Sequence, residues 1–215
     1  YVMSTIAIID YGMGNLHSIA KALEHVAADA RVMISSDPEA IMAADRVVFP
    51  GVGGIGHTME ELARTGLGDV ARQSVASKPT LCICVGMQAL FERSEENNGT
   101  ACLGLVAGEV LRFPENMHTA DGNKLKVPHM GWNQVRQNSH PLWQGIAQDS
   151  RFYFVHSYYT APADRGLQAA TSEYGREFCC ALARENLFAV QFHPEKSQQG
   201  GLQLLRNFSA WDGRV

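Results

Sequence analysis

Three short segments of this 215-residue sequence carry groups whose types and spacing suit nucleophilic chemistry. Cys84 ends the apolar run Thr80-Leu81-Cys82-Ile83-Cys84, and Gly86 follows two residues later. A strand that turns sharply into a helix projects its last side chain from the sheet edge. The helix start then favours a thiolate there. Read alone, Cys84 fits a buried core position as readily, because free cysteine is among the most buried residue types. His193-Pro194-Glu195 is the second segment. Pro194 biases His193 towards an extended backbone, where residues two apart share a face about 7 Å apart. The Glu195 carboxylate can then hold the imidazole, fix its tautomer and stabilise its charge; alone, the segment reads more readily as a solvated surface turn. In Pro50-Gly51-Val52-Gly53 the glycines allow backbone N–H groups to approach a ligand closely. That suits an oxyanion hole, a phosphate-binding turn or a plain tight turn.

The elements around these segments alternate. Thr5–Asp10 reads as a buried strand and 11–15 as a Gly-rich turn. Leu16, Ile19, Ala20, Leu23 and Val26 recur at helical spacing. Strands follow at 31–34, 46–49 and 80–84. A helix begins at Asp37-Pro38, helical patterns run across 57–76 until Pro79, and Met87–Arg93 reads as a further helix. This pattern implies right-handed βαβ units. Strand-like stretches near 105–113, 132–136, 151–159, 167–173, 178–184 and 187–192 have little helix between them, and a last helix covers 198–210. The expected fold is α/β: a mixed, mostly parallel central sheet flanked by helices, with an antiparallel extension. One domain is expected over 4–215, with 116–124 as a polar surface loop. Tyr1 and Val2, ahead of Met3, read as appended residues.

Composition narrows the function classes. Lys and Arg number 18 against 22 Asp and Glu, a net charge of −4 with no basic run. A nucleic-acid partner is therefore disfavoured. No apolar run reaches the ~18 residues of a membrane span, and no signal peptide is evident, so no membrane association is expected. Five cysteines, an odd number, suit free thiols in a reducing cytoplasm. A zinc site from Cys82, Cys84, Cys179 and Cys180 is disfavoured, because adjacent strand residues point to opposite faces. No metal and no cofactor is expected.

Taken in order, Asp10-Tyr-Gly-Met-Gly-Asn15, Pro50-Gly-Val-Gly53, Cys82-Ile-Cys84-Val-Gly-Met-Gln88, Arg93-Ser-Glu-Glu96, Pro128-His-Met-Gly-Trp-Asn133, Phe152-Tyr-Phe-Val-His-Ser-Tyr158 and Gln191-Phe-His-Pro-Glu-Lys-Ser197 resemble the class I (triad) glutamine amidotransferases. The likeness runs from Thr5 onward and is strongest to the glutaminase subunits serving imidazole glycerol phosphate synthesis in histidine biosynthesis. It implies a catalytic triad of Cys84, His193 and Glu195, and an oxyanion hole from the backbone of Gly51, Val52, Gly53 and Val85. It implies glutamine binding by Gln88, Ser157 and Tyr158. It places Asn15, His129, Met130, Trp132 and Lys196 near a docking face for a cyclase subunit, a (β/α)8 barrel, in a heterodimer. By the residues alone, Trp132 fits core packing equally well, His129 reads as structural or interfacial, and His156 as a satisfied strand histidine. His17, His25, His57, His118 and His140 read as solvated. The sequence departs from the family at Cys82, where glycine usually allows helix and strand to pack closely. Other readings are a glutaminase of another amidotransferase pathway, a paralogue, a stand-alone thiol hydrolase, or a non-catalytic scaffold.

Overall fold

In the computed structural model, which describes residues 3–215, strands and helices alternate through the first half. The order is β1 (Ser4–Ile9), α1 (Leu16–Val26), β2 (Ala30–Ser35), α2 (Pro38–Ala43), β3 (Arg46–Gly51), α3 (Ile55–Thr65), α4 (Leu67–Ser77), β4 (Thr80–Cys84) and α5 (Val85–Gln88). The second half is mostly strand: β5 (Arg93–Ser94), β6 (Thr100–Ala101), β7 (Gly108–Arg112), β8 (His129–Gln134), β9 (Arg136–Gln137), β10 (Arg151–His156), β11 (Tyr158–Pro162), β12 (Gln168–Glu173), β13 (Glu177–Arg184) and β14 (Leu187–Val190), closed by α6 (Gln198–Ala210). Tyr1 and Val2 lie outside the described residues.

The large sheet runs β2-β1-β3-β4-β14-β13-β11-β7-β5-β6, with β12 and β9 joined beside β13. From β2 to β14 all neighbours are parallel. Every residue of β4 and β14 is buried, as expected for central strands covered on both faces. The chain steps from β1 to β2 in one direction across the sheet and from β2 to β3 and β4 in the other. Right-handed crossovers therefore put α1 on one face and α2, α3 and α4 on the other. Accordingly α1 packs with α6, and α4 packs with α2 and α3. Ile19, Ala20 and Leu23 form the buried stripe of α1. At the start of α2 the Asp37 carboxylate accepts the Glu39 N–H at 3.1 Å, with Pro38 in the first helical position.

The helical patterns across 57–76 are two helices, because Gly66 adopts a left-handed conformation (φ 73°) between them. Three expectations need correction. The helix expected over Met87–Arg93 stops at Gln88. The carbonyls of Ala89, Leu90 and Phe91 accept N–H groups from 103–106 instead of continuing the helix, and Arg93–Ser94 pairs as β5. The stretch 151–159 breaks at Ser157: β10 pairs with β8 in a separate two-stranded sheet, whereas β11 joins the large one. His140 is not simply solvated. Its ring lies 4.6 Å from that of Phe188 and 5.4 Å from that of Trp211, and its Nδ1 accepts the Leu142 N–H. The loop 116–124 lies at the surface, apart from the buried Met117. Among the described residues, no helix is long and apolar enough to cross a membrane.

The strand order has one consequence for chemistry. β3, β4 and β14 are adjacent and parallel, with Gly51 paired to Cys84 and Val190 to Ile83. All three segments singled out above therefore emerge at the same carboxyl edge of the sheet, where open α/β folds bind ligands.

Candidate active site

Cys84 has φ 55° and ψ −114°, a conformation that L-residues with side chains rarely adopt. Such a backbone costs about 1–3 kcal/mol and persists only where its surroundings impose it. Here the constraint is the packing of α5 on β3. A Cβ added at Gly86 would lie 2.2 Å from the Phe49 carbonyl oxygen, and one at Gly51 would lie 2.8 Å from the Gly86 nitrogen. Close approach at the elbow therefore falls to Gly86 and Gly51. Cys82 sits fully buried within β4, paired with Phe49 and Ala189, and the elbow forms around it. Burial pushes its thiol pKa far up, so it stays protonated.

Cys84 opens into a cavity of about 440 Å³ whose walls include Val52, Gly53, Val85, Gln88, Ser157, Tyr158, His193 and Lys196. Of the expected oxyanion segment, Val52, Gly53 and Val85 reach this cavity. Gly51 does not; it forms the packing contact beneath it. The Tyr11 hydroxyl donates to the Pro50 carbonyl at 2.7 Å and anchors the strand that leads there.

The His193 ring meets Glu195 Oε1 at 2.8 Å through Nδ1, and both side chains are almost wholly buried. Glu195 Oε2 has no partner among the described residues, so His193 is the carboxylate's sole hydrogen bond. Strand β10 holds the turn in place. The His193 N–H donates to the Tyr153 carbonyl at 3.0 Å, and Ser197 Oγ accepts the Tyr153 N–H while donating to the His193 carbonyl. Burial opposes charge on His193, but Cys84 and Glu195 beside it outweigh that, and its pKa is pushed up to about 10. The ring therefore holds a proton at neutral pH, facing the sulfur.

The Nε2 amide of Gln88 donates to the Tyr158 carbonyl at 3.1 Å and to Gln191 Oε1 at 3.0 Å. Gln191 Nε2 in turn donates to Cys84 Sγ at 3.7 Å. Sequence reasoning gave Gln191 no role, although its place two residues before His193 on an extended chain is a usable signal. Glu96 and His156 also line the cavity and were given no part in the chemistry. The Glu96 carboxylate accepts the Ile55 N–H at the start of α3 at 3.2 Å.

The expected docking residues separate. Met130 and Trp132 are exposed on the outer face of β8, at 62% and 42%; Trp132 is not core. Lys196 is exposed at the cavity rim. Asn15 is half-buried and its carbonyl opens α1 by accepting the Ile19 N–H. His129 is corrected: strand alternation turns it inward, and it is buried between the rings of Tyr174 and Phe154, at 4.0 and 4.9 Å. Among the described residues no three His, Cys, Asp or Glu side chains gather into a metal-binding group.

The buried histidines predict a stability profile. Burial lowers His129 and His140 to about 4 and His156 to about 3. The unfolded chain takes up these protons near pH 6.5, so stability falls as pH drops below about 6.5. His193 has the opposite sign. Its contribution is complete below about 6.5 and disappears as pH rises through its folded pKa of about 10. Urea midpoints measured from pH 4 to 10 are expected to peak between about 6 and 7.

Residues 7–210 match the family described as glutamine amidotransferase class-I. The chain is 61% identical over 212 residues to the imidazole glycerol phosphate synthase subunit HisH of Methylococcus capsulatus, covering 98% of each. It is 58% identical over 211 residues to that of Aromatoleum aromaticum, covering 97% of this chain and 99% of the relative. The structure of PurLQS from Thermotoga maritima superposes with a TM-score of 0.69 at 15% identity, over 96% of this chain and 98% of that one, a likeness of fold.

Proposed function

Because the chain belongs to the class I glutamine amidotransferases, among the HisH subunits of imidazole glycerol phosphate synthase, we propose that Cys84, His193 and Glu195 hydrolyse the side-chain amide of glutamine. The observation that carries this reading is the convergence of β3, β4 and β14 on one edge, with a strained cysteine facing a carboxylate-paired histidine. The Cys84 thiolate attacks the amide carbon. Backbone N–H groups of Val85 and of the Val52–Gly53 segment stabilise the tetrahedral oxyanion. His193 gives its proton to the departing nitrogen, the C–N bond breaks, and ammonia leaves a thioester on Cys84. His193 then takes a proton from water, whose oxygen displaces the sulfur as glutamate forms. Glu195 keeps His193 in one tautomer and one orientation.

Substrate binding follows from the walls. A cavity of about 440 Å³ is ample for a free amino acid. Glu96 supplies a carboxylate for the α-ammonium group, and Ser157 and Tyr158 also line the cavity. Both Nε2 hydrogens of Gln88 are engaged, leaving its Oε1 as the group offered to substrate.

The ammonia is used by a cyclase partner, a (β/α)8 barrel, which docks over the cavity to form a heterodimer and makes imidazole glycerol phosphate and an aminoimidazole carboxamide ribotide. Exposed Met130 and Trp132 beside the cavity support this, since such side chains suit an interface core. All five cysteines are free, which suits the reducing cytoplasm. The test is glutamate release from glutamine by the chain alone and with the cyclase carrying its ribulose phosphate ligand. Weak release alone and strong release in the loaded complex is the expected result. Full release by the isolated chain would instead identify a stand-alone hydrolase, and none in either state would favour a scaffold.

A further inference from the structure

Strand β8 alternates. Met130 and Trp132 face outward, whereas His129 and Asn133 face inward onto a chain of hydrogen bonds that is buried at its two histidines. Its polarity follows from its two ends. The Tyr158 carbonyl can only accept, so His156 Nδ1, at 2.7 Å, carries a proton. His156 is almost fully buried, so its Nε2 is a bare acceptor, and it receives His129 Nδ1–H at 2.9 Å. His129 Nε2 is then also an acceptor and meets Asn133 Nδ2 at 3.3 Å. The second Nδ2 hydrogen goes to the Glu173 carbonyl at 2.7 Å, and Asn133 Oδ1 accepts the Gln134 N–H at 2.8 Å, which fixes the amide orientation. Every donor and acceptor is used in one sense. Both imidazoles are thereby neutral Nδ1–H tautomers, and burial keeps them so.

The Tyr158 carbonyl is shared. It also accepts from Gln88, which holds Gln191, which holds Cys84 Sγ. His156 thus fixes the position of one carbonyl at which two chains meet, beside Ser157 where the backbone crosses from the small sheet to the large one. We propose that Asn133, His129 and His156 are positioning residues: a hydrogen-bond chain of fixed direction that sets the Tyr158 carbonyl, and through Gln88 and Gln191 sets the donor on the Cys84 sulfur. The consequence for turnover rests on Cys84 being the nucleophile. The placement of the sulfur does not.

The experiment measures Cys84 alkylation by iodoacetamide, read by mass spectrometry on the free chain, alongside kcat and KM for glutamate release in the cyclase complex. His156→Phe keeps the ring and removes both hydrogen bonds. It is expected to slow Cys84 alkylation at pH 7 and lower kcat, each by roughly five- to tenfold, with little change in KM. His156→Asn retains a donor at the Nδ1 position and is expected to recover most of that loss. A folded His156→Phe protein with wild-type alkylation and wild-type kcat would overturn the proposal. Slowed alkylation with no glutamate release even in the wild type would uphold the positioning chain and refute the glutaminase reading. Nitrogen NMR of the imidazoles in the unmutated chain is independent of whether any variant folds. Nδ1–H tautomers at both His129 and His156 are expected, and an Nε2–H tautomer at either contradicts the chain.

Discussion

Replacing Cys84 by serine is expected to lower glutamate release in the cyclase complex by at least about a thousandfold, while the melting temperature changes little. The hydroxyl is isosteric, and serine meets the same backbone strain at φ 55° that cysteine already bears. Folding is therefore preserved, and the loss is chemical. A serine hydroxyl is ionised far less readily than a thiol at neutral pH, so the attacking anion is all but absent. In the parent, His193 is protonated through its contacts with Cys84 and Glu195. Removing the sulfur also withdraws one of the two supports that hold that proton against burial, so the His193 pKa falls from about 10 towards the ordinary histidine range. The check is steady-state glutamate production together with an NMR titration of His193. Substantial glutamate release by the serine variant would place the nucleophile elsewhere.

Gly86→Ala is expected to destabilise the fold strongly and to disturb the site at the same time. Its Cβ would lie 2.2 Å from the backbone oxygen of the buried Phe49, in a strand held between two parallel neighbours. β3 cannot yield, so α5 must lift. Overpacking of this kind costs about 3 kcal/mol, roughly 10 °C in melting temperature for a chain of this size. The Val85 N–H and Gln88 move with the helix. A misplacement of about 1 Å at such a site costs on the order of a hundredfold in turnover. Thermal unfolding and glutamate release measured on the same preparation check both effects. A variant that melts within a degree or two of the parent would show that the elbow is not packed as described.

Most of the parallel half was legible in the sequence because its signals are local. Apolar runs bounded by Gly or Pro gave β1, β3 and β4, and the Asp37-Pro38 pair gave the start of α2. The misread helix after Gln88 shows what local pattern omits. Met87-Gln88-Ala89-Leu90-Phe91 has helical composition, but its carbonyls are claimed by a segment some fifteen residues later. The same holds for 151–159, an unbroken β-pattern whose two halves belong to different sheets. At the site, residue type and order sufficed to nominate Cys84, His193 and Glu195. Gln191 and His156 were not found, because a glutamine or histidine inside an apolar strand acquires meaning only from what lies across the sheet. His129, expected at or near the docking face and read as structural or interfacial, is buried, while its strand neighbours Met130 and Trp132 face outward.

The most direct test of the account is to treat the chain with an electrophilic diazoketone analogue of glutamine and determine the modified residue by mass spectrometry. Cys102 is the informative competitor: it is the most accessible of the other thiols, yet burial and the nearby Glu96 carboxylate push its pKa up to about 11, leaving it unreactive near pH 7. The account predicts one adduct per chain, on the peptide containing Cys84, formed more slowly when glutamine is present and absent after Cys84→Ser. Modification of Cys102 instead, or an unmodified Cys84 in a chain whose glutamate release is nonetheless inactivated, would contradict it.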